Sequence, residues 1–157
     1  MEKKYYAITK YASILNRLSN RFFDQTMQEY GLGSGQIFFL LRLSEKEGIS
    51  IQELASTGYY DKGTTTRAVQ KLEELHLVKR MTDEHDKRIQ RLYLCTEGKM
   101  MIPHIREVIQ VWEELVLQGL SEEEALLAMQ LLKHIANNAR SCMDERRRVY
   151  HERNNNT

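Results

Sequence analysis

The 157 residues suit one domain, and their composition excludes two broad classes of protein. Hydrophobic residues make up 41% of the chain and charged residues 29%, which is too much apolar side chain for a disordered protein and too much charge for a membrane protein. The 23 basic and 22 acidic residues give a net charge of +1, so any binding of nucleic acid has to depend on local placement of charge.

Neither a membrane anchor nor an export signal is evident in the sequence. No apolar run exceeds the length of residues 37–41, far short of the ~20 residues that a spanning helix needs. Cys95 and Cys142 lack the spacing of a zinc module and the density of a disulfide scaffold. We therefore expect a protein of the reducing cytoplasm.

One proline and eight glycines in the whole chain favour long helices. Residues 6–30 repeat apolar side chains in steps of three and four, which predicts one helix with a single apolar stripe. The stripe consists of Ile8, Tyr11, Leu15, Leu18 and Phe22. Gly31 and Gly33 break this helix, and Ser34 opens a second one that closes at Gly48. Because the second helix is apolar nearly all round, we expect it at the centre of the fold.

Two further helices follow, each with a recognisable start. Ser50 and Glu53 have the spacing of a capping box, which predicts a short third helix that ends near Gly58. Asp61 can cap the fourth helix, whose apolar positions define its buried face. These positions are Ala68, Val69, Leu72 and Leu75.

The hydrophobic period then becomes two-fold. Met81 on one side and Leu92 with Leu94 on the other bracket the polar stretch 82–90, which predicts a β-hairpin with a long, flexible tip. Two strands alone are marginally stable, so the hairpin has to pack against the helices.

Two long helices complete the chain. The fifth begins at Cys95 or Thr96, Gly119 interrupts it, and a second capping box at residues 121–124 starts the sixth. Their apolar stripes are Met101, Ile105, Val108, Trp112 and Leu115 in the fifth helix, and Leu127, Leu131, Ile135 and Ala139 in the sixth. The charged tail, residues 146–157, is expected to fray.

The terminal helices carry apolar stripes that a single chain would leave exposed. We therefore expect the end helices of two chains to pack together in a homodimer. The alternative is that these stripes bury against the middle of the same chain.

The start of the fourth helix contradicts its own helix propensity. Glycine costs ~1 kcal/mol there, and each threonine costs roughly half that or more. With 100° per residue, Thr65 faces the core, whereas the opposite face carries short polar side chains and a guanidinium. That face and the exposed helix start comprise Lys62, Gly63, Thr64, Thr66, Arg67 and Gln70. The order suits a helix that enters a DNA major groove amino end first, although an ordinary solvated helix face gives the same pattern.

The hairpin tip adds a second candidate contact. Asp86 stands two residues before Arg88, a spacing that can hold the guanidinium in one direction and present it to a minor groove. Three acidic residues nearly cancel Lys87, Arg88 and His85. A solvated turn with a surface ion pair is therefore the alternative.

Several short motifs run in one order along most of the chain. They are Gly31-Leu32 with Gln36, Glu53-Leu54-Ala55, the stretch 61–67, Leu72-Glu73, Asp86-Lys87-Arg88, and Leu94 with Gly98. Together they resemble the MarR family, the multiple antibiotic resistance regulators, which are dimeric winged helix-turn-helix repressors and sensors of bacteria. Residues 61–67 match the family's Asp-Lys-Ser-Thr-Val-Thr-Arg, and Asp86 with Arg88 match the Asp-x-Arg of its wing.

The resemblance implies a mainly α fold with a small β-hairpin wing. A winged helix-turn-helix over residues 34–96 would be flanked by dimerisation helices at 5–30 and 97–145. The implied DNA-binding residues, with Gln70 added from the helical wheel, are Lys62, Thr64, Thr66, Arg67, Gln70, Asp86, Lys87 and Arg88.

Four positions depart from the family pattern. Gly63 replaces a serine and loses a possible phosphate contact, while Tyr59 and His76 each replace a turn glycine. Cys95 replaces a threonine, which should leave Thr96 to cap the fifth helix one residue late.

The resemblance further implies a homodimer on a pseudo-palindromic double-stranded DNA operator, acting as a repressor that a small amphipathic or phenolic effector modulates. An aromatic effector pocket is one interpretation of five rings that are otherwise simply core: Tyr5, Tyr6, Tyr11, Phe38 and Phe39. No residue spacing indicates an enzyme, and the five scattered histidines indicate no zinc cluster or other cofactor. The alternative function is a winged-helix scaffold for protein contacts.

Overall fold

The computed structural model describes the backbone of residues 6–155 and the side chains of residues 7–146. Within that range there are six α-helices, one short 3-10 helix over Gln28–Tyr30 and one hairpin. The elements are α1 (Tyr6–Thr26), α2 (Ser34–Glu45), α3 (Ile51–Thr57), α4 (Lys62–Glu74), β1 (Val78–Thr82), β2 (Gln90–Leu94), α5 (Thr96–Val116) and α6 (Glu122–Asn155). The chain divides into two compact units, and the division falls between Glu113 and Glu114, inside α5. The mainly α architecture with one β-hairpin is the predicted one.

The core of the first unit forms around α2. This helix packs against α1, α3, α4 and β2, and it buries Phe39, Leu40 and Leu43 almost completely. Its central place is therefore confirmed. Other elements contribute Leu54, Val69, Leu72, Leu92 and Ile105 to the same cluster.

The junction between α1 and α2 differs in one respect from the predicted continuous helix. The α-helix ends at Thr26, and a 3-10 turn carries the chain to Gly31, whose φ of 65° is left-handed. Met27 between them is fully buried, so the chain bends to bury that side chain. The Ser34 amide then donates to Asp24 Oδ1 at 2.7 Å, which satisfies a free N–H at the start of α2.

The capping box of α3 is present, with the Ser50 amide 2.8 Å from Glu53 Oε2 and the Glu53 amide 3.2 Å from Ser50 Oγ. Immediately before it, Ile49 forms an isolated antiparallel bridge with Leu92. The Leu92 amide donates to the Ile49 carbonyl at 2.9 Å. This bridge attaches the hairpin to the helices, and a single bridging residue has no two-fold pattern by which the sequence could reveal it.

The hairpin pairs Val78 with Leu94 and Thr82 with Gln90, as the two-fold pattern predicts. The expectation that Thr96 caps α5 is wrong, since Thr96 is already helical. The Lys99 amide donates to the Cys95 carbonyl at 3.0 Å, so Cys95 occupies the cap position.

The second unit contains the last residues of α5 and all of α6. Gly119 has a φ of 88°, and Ser121 caps α6 with its hydroxyl 3.2 Å from the Glu124 amide, as predicted. The expected fraying from residue 146 is wrong, because the backbone stays helical to Asn155. The sequence contains no glycine or proline beyond Gly119, so nothing in it interrupts the helix.

Candidate nucleic-acid interface

Asp61 fixes the start of α4, which we call the recognition helix. Its Oδ1 accepts the Thr64 amide at 2.8 Å, and its Oδ2 accepts the Thr64 hydroxyl at 2.7 Å. These two hydrogen bonds, the hydroxyl first, lower the pKa of Asp61 below its usual value. The predicted N-cap is confirmed, and the Asp61 carboxylate accepts both the amide and the hydroxyl of Thr64.

The other two threonines donate to the backbone of the same turn. Thr65, fully buried as predicted, donates its hydroxyl to the Asp61 carbonyl at 3.0 Å. Thr66 donates to the Lys62 carbonyl at 2.7 Å. These bonds satisfy both hydroxyl groups within the helix, so neither needs a partner elsewhere in the fold. Because the Thr66 hydroxyl hydrogen is engaged, its oxygen can serve other groups only as an acceptor.

The outward face of the recognition helix carries the side chains that the helical wheel predicts. Lys62, Gly63, Arg67 and Gln70 are exposed, and Thr64 and Thr66 are half-buried. Arg67 Nη2 donates to Thr64 Oγ1 at 3.2 Å, which steers the guanidinium towards the amino end of the helix. Asp61, Thr64 and Arg67 thus form a short chain of hydrogen bonds.

Tyr59 and His76, which stand where the family has glycine, lie on either side of this helix. Their φ angles are 60° and 56°, the left-handed conformation that favours glycine. Both turns therefore have a conformation suited to glycine although a larger residue occupies each position.

The wing consists of β1, β2 and the tip of residues 83–89. Hydrogen bonds within the tip hold it in one shape. Asp83 Oδ1 accepts the amides of His85 at 2.9 Å and Asp86 at 3.0 Å, and the Asp83 amide donates to the Ile89 carbonyl at 2.9 Å. These amides, with the Asp86 amide first, and the Arg91 guanidinium lower the pKa of Asp83 to about 2. The tip is thus more constrained than its polar composition suggested.

The predicted pair at the tip is present. Asp86 Oδ1 accepts the Arg88 amide at 3.0 Å and Arg88 Nε at 3.3 Å, while 93% of the Arg88 side chain stays exposed. Lys87 beside it is also exposed. The arrangement leaves the guanidinium in water with its direction restrained by a carboxylate.

Two arginines of the wing have partners that the sequence analysis missed. Arg80 of β1 binds Glu73 of the recognition helix, with Nη2 2.9 Å from Oε2. Arg91 of β2 binds Asp83 and Glu53. The alternation of these arginines with apolar residues was visible in the sequence. Their partners were not, because they lie seven or more residues away along the chain.

Of the two interpretations of the aromatic residues, core or effector pocket, the described rings give the pocket no support. Phe38 and Phe39 pack against each other and against Tyr60, with ring centroids 5.0–5.2 Å apart. Tyr11 is exposed. The side chains of Tyr5 and Tyr6 lie outside the described residues.

Other chemistries find no support in the described part of the chain. Residues 7–146 hold no cluster of three or more histidine, cysteine or acidic side chains placed to bind a metal ion. Cys142 is exposed and Cys95 half-buried, both as free thiols. Among the described helices, none combines the length and apolar character needed to cross a bilayer.

Comparisons with known proteins agree with this geometry. Residues 32–90 match the MarR family model. A protein named HTH-type transcriptional regulator YybA, from Bacillus subtilis and itself uncharacterised, is 31% identical over 127 residues, which are 81% of this chain and 82% of that protein. HTH-type transcriptional regulator BilQ from Clostridium symbiosum is 29% identical over 135 residues, covering 85% and 94%.

The fold agrees with solved structures. A MarR transcriptional regulator from Methanosarcina mazei superposes with a TM-score of 0.83 at 31% identity, over 87% of this chain and 99% of that one. The transcriptional regulator SlyA gives a TM-score of 0.80 at 30% identity, over 84% and 93%. The chain therefore belongs to the MarR family of helix-turn-helix transcriptional regulators.

Proposed function

We propose that the chain forms a homodimer that binds a pseudo-palindromic operator in double-stranded DNA and represses transcription from it. The observation that carries the proposal is the polar start of α4. Gly63, an amide and a guanidinium are exposed there beside two half-buried threonines, while the helix buries Ala68, Val69 and Leu72 behind them. Such a surface combines close approach with groups that can bind phosphates and base edges.

Each candidate residue has a proposed role. Lys62, exposed at the start of the helix, binds phosphate through its ammonium group. Thr64, Thr66, Arg67 and Gln70 face the base edges, where an arginine binds guanine and the threonine methyl groups can contact thymine.

The wing extends the interface along the duplex. Arg88 enters the adjacent minor groove, where a narrow groove concentrates negative potential. Asp86 restrains it, and Lys87 binds the backbone phosphates.

Dimerisation is supported by apolar side chains that are exposed in the single chain. Along α1 these are Ile8, Tyr11, Leu15 and Leu18. In the second unit, considered by itself, they include Leu127, Leu131 and Ile135 of α6. Large apolar faces of this kind mark interaction sites, and a second copy of the chain presents the same faces.

Repression and its control complete the proposal. A dimer bound over a promoter occupies the duplex that the polymerase needs. A small amphipathic or phenolic effector that binds the DNA-free form more tightly would release it, because a ligand shifts an equilibrium only by its differential affinity.

The test is fluorescence polarisation with labelled duplex from upstream of the chain's own coding region. We expect binding that survives excess random DNA and, if about eight phosphates are contacted, an affinity that falls by roughly 10³–10⁵ between 50 and 200 mM salt. Absence of binding at any salt would favour the protein-contact scaffold instead. A flat salt response would contradict the proposed contacts.

A further inference from the structure

Arg91 connects three parts of the fold. Its Nε donates to Asp83 Oδ2 at 2.7 Å, and its Nη1 donates to Glu53 Oε2 at 3.1 Å and to the Gly48 carbonyl at 3.3 Å. Only 28% of the Arg91 side chain is exposed, and only 15% of the Asp83 side chain. The guanidinium is therefore held from two sides in a partly desolvated place, where charge-assisted hydrogen bonds are strongest.

Both carboxylates that bind Arg91 also hold backbone amides. Glu53 Oε2 accepts the Ser50 amide, which caps α3. Asp83 Oδ1 accepts the amides of His85 and Asp86, which shape the wing tip. Arg91 thus joins the start of the first helix of the helix-turn-helix to the turn of the wing.

The connection continues to the exposed end of the wing. The Asp86 amide is bound by Asp83, and the Asp86 carboxylate binds the amide and Nε of Arg88. A two-stranded hairpin is marginally stable alone, and within residues 6–155 a single isolated bridge, between Ile49 and Leu92, adds to its strand pairing. The ion pairs of Arg91, beside the pair of Arg80 with Glu73, therefore help to set the direction of the tip.

We propose that Arg91 is a positioning residue for DNA binding: with Asp83 and Glu53 it holds the wing tip, and hence Arg88, at a fixed place relative to the helix-turn-helix. The inference rests on the proposed function, because it assigns Arg88 to the DNA. It does not require Arg91 to contact DNA itself.

The first test uses the protein without DNA. Asp83→Asn removes the charge that binds Arg91, but its amide oxygen can still accept the His85 and Asp86 amides. Trypsin cleavage after Lys87 and Arg88, followed by mass spectrometry, reports opening of the tip. We expect cleavage about tenfold faster than in wild type, because a factor of ten in the population of the open tip corresponds to the loss of one charge-assisted hydrogen bond.

Asp24→Asn, which makes the same charge change on α1, is the matched control and should leave tip cleavage unchanged. Equal cleavage of Asp83→Asn and wild type would overturn the proposal. If Asp83→Asn does not fold, as judged by its thermal midpoint, Glu53→Gln removes the other anchor and takes its place.

The second test is the sign of the effect on operator affinity. Loss of a negative charge near DNA strengthens binding by simple electrostatics. Loss of positioning weakens DNA binding. We therefore expect Asp83→Asn to bind the operator about tenfold more weakly, which again corresponds to one charge-assisted hydrogen bond. Unchanged or tighter binding would contradict the proposal.

A double-mutant cycle tests whether Arg91 acts on DNA binding through Arg88 or independently of it. Arg91→Ala should weaken operator binding in the wild-type background and weaken it clearly less in an Arg88→Ala background, because most of its effect passes through Arg88 and only the phosphate contact of Lys87 remains to be lost. Additive losses, or no loss from Arg91→Ala, would overturn the positioning role. If Arg88→Ala alone binds like wild type, the wing contact of the proposed function fails, and the proteolysis result still reports whether Arg91 holds the tip.

Discussion

Three consecutive threonines begin the recognition helix, and each hydroxyl donates within the turn that it starts. Thr64 donates to the Asp61 side chain, Thr65 to the Asp61 carbonyl and Thr66 to the Lys62 carbonyl. The sequence predicted which of them faces the core, because a helical wheel needs only the apolar positions. The hydroxyl partners depend on side-chain rotamers, which the pattern does not contain.

Arg67 tests whether a single side chain of the recognition helix contributes to base recognition. Its side chain is exposed and donates to Thr64 of the same helix, so Arg67→Ala should leave the thermal midpoint unchanged. Operator binding should weaken by about 1–3 kcal/mol for each arginine that binds a guanine. Lys71→Ala, later on the same helix and paired with Glu74, is the control for loss of one positive charge. Equal losses from both variants, measured by fluorescence polarisation, would contradict a base-specific role.

Gly98 tests packing at the junction of the wing with α5. A Cβ on this buried glycine would collide with the Leu77 carbonyl, which is backbone and cannot move aside alone. Gly98→Ala should therefore lower the free energy of unfolding by at least about 1–3 kcal/mol in urea denaturation. Gly35→Ala, where a Cβ would meet open space on α2, should instead raise it by roughly 0.5–1 kcal/mol. A stable Gly98→Ala protein would show that the contact is softer than its geometry indicates.

At the scale of elements, helix starts were more predictable than the attachment of the hairpin. Ser50, Asp61 and Ser121 all cap as expected, because a cap is a local motif of three or four residues. The bridge from Ile49 to Leu92 and the ion pairs of Arg80 and Arg91 are non-local, and no short-range pattern records them.

The wing should show a distinctive dependence of stability on pH. The pKa of Asp83 is lowered from 3.8 to about 2, so its contribution is fully present above its unfolded pKa and is lost as pH falls through about 2. The stability difference between wild type and Asp83→Asn, from urea denaturation, should be constant from pH 8 to about 5 and should shrink towards zero near pH 2. A difference that persists unchanged at pH 2 would contradict the bonds that lower this pKa, which come from the Asp86 amide first and then from Arg91 and the His85 amide.

For the whole molecule, the order of elements was predictable because glycines, caps and periodicity divide the chain cleanly. The extent of α6 was not, because a charged tail has the composition of both a frayed end and a solvated helix. The apolar stripe of α1 was predicted to lack a partner in the single chain, and four of its five side chains are indeed exposed: Ile8, Tyr11, Leu15 and Leu18.

Those exposed side chains predict that dimerisation can be broken from α1. Leu15→Lys with Leu18→Lys places two charges in the proposed seam and should halve the mass measured by light scattering at micromolar concentration. Asn16→Lys, at an exposed polar position of the same helix, should leave the mass unchanged. A wild-type mass equal to one chain would contradict the dimer itself.

The most direct measurement of the central claim is the dependence of binding on the spacing of the two operator half-sites. Two recognition helices held by one dimer should require half-sites one helical turn, about 10 base pairs, apart on the same face of the duplex. Inserting 5 base pairs between them turns one half-site to the opposite face, and we predict that affinity then falls to that of an isolated half-site. Undiminished affinity for the 5-base-pair insertion would contradict the account.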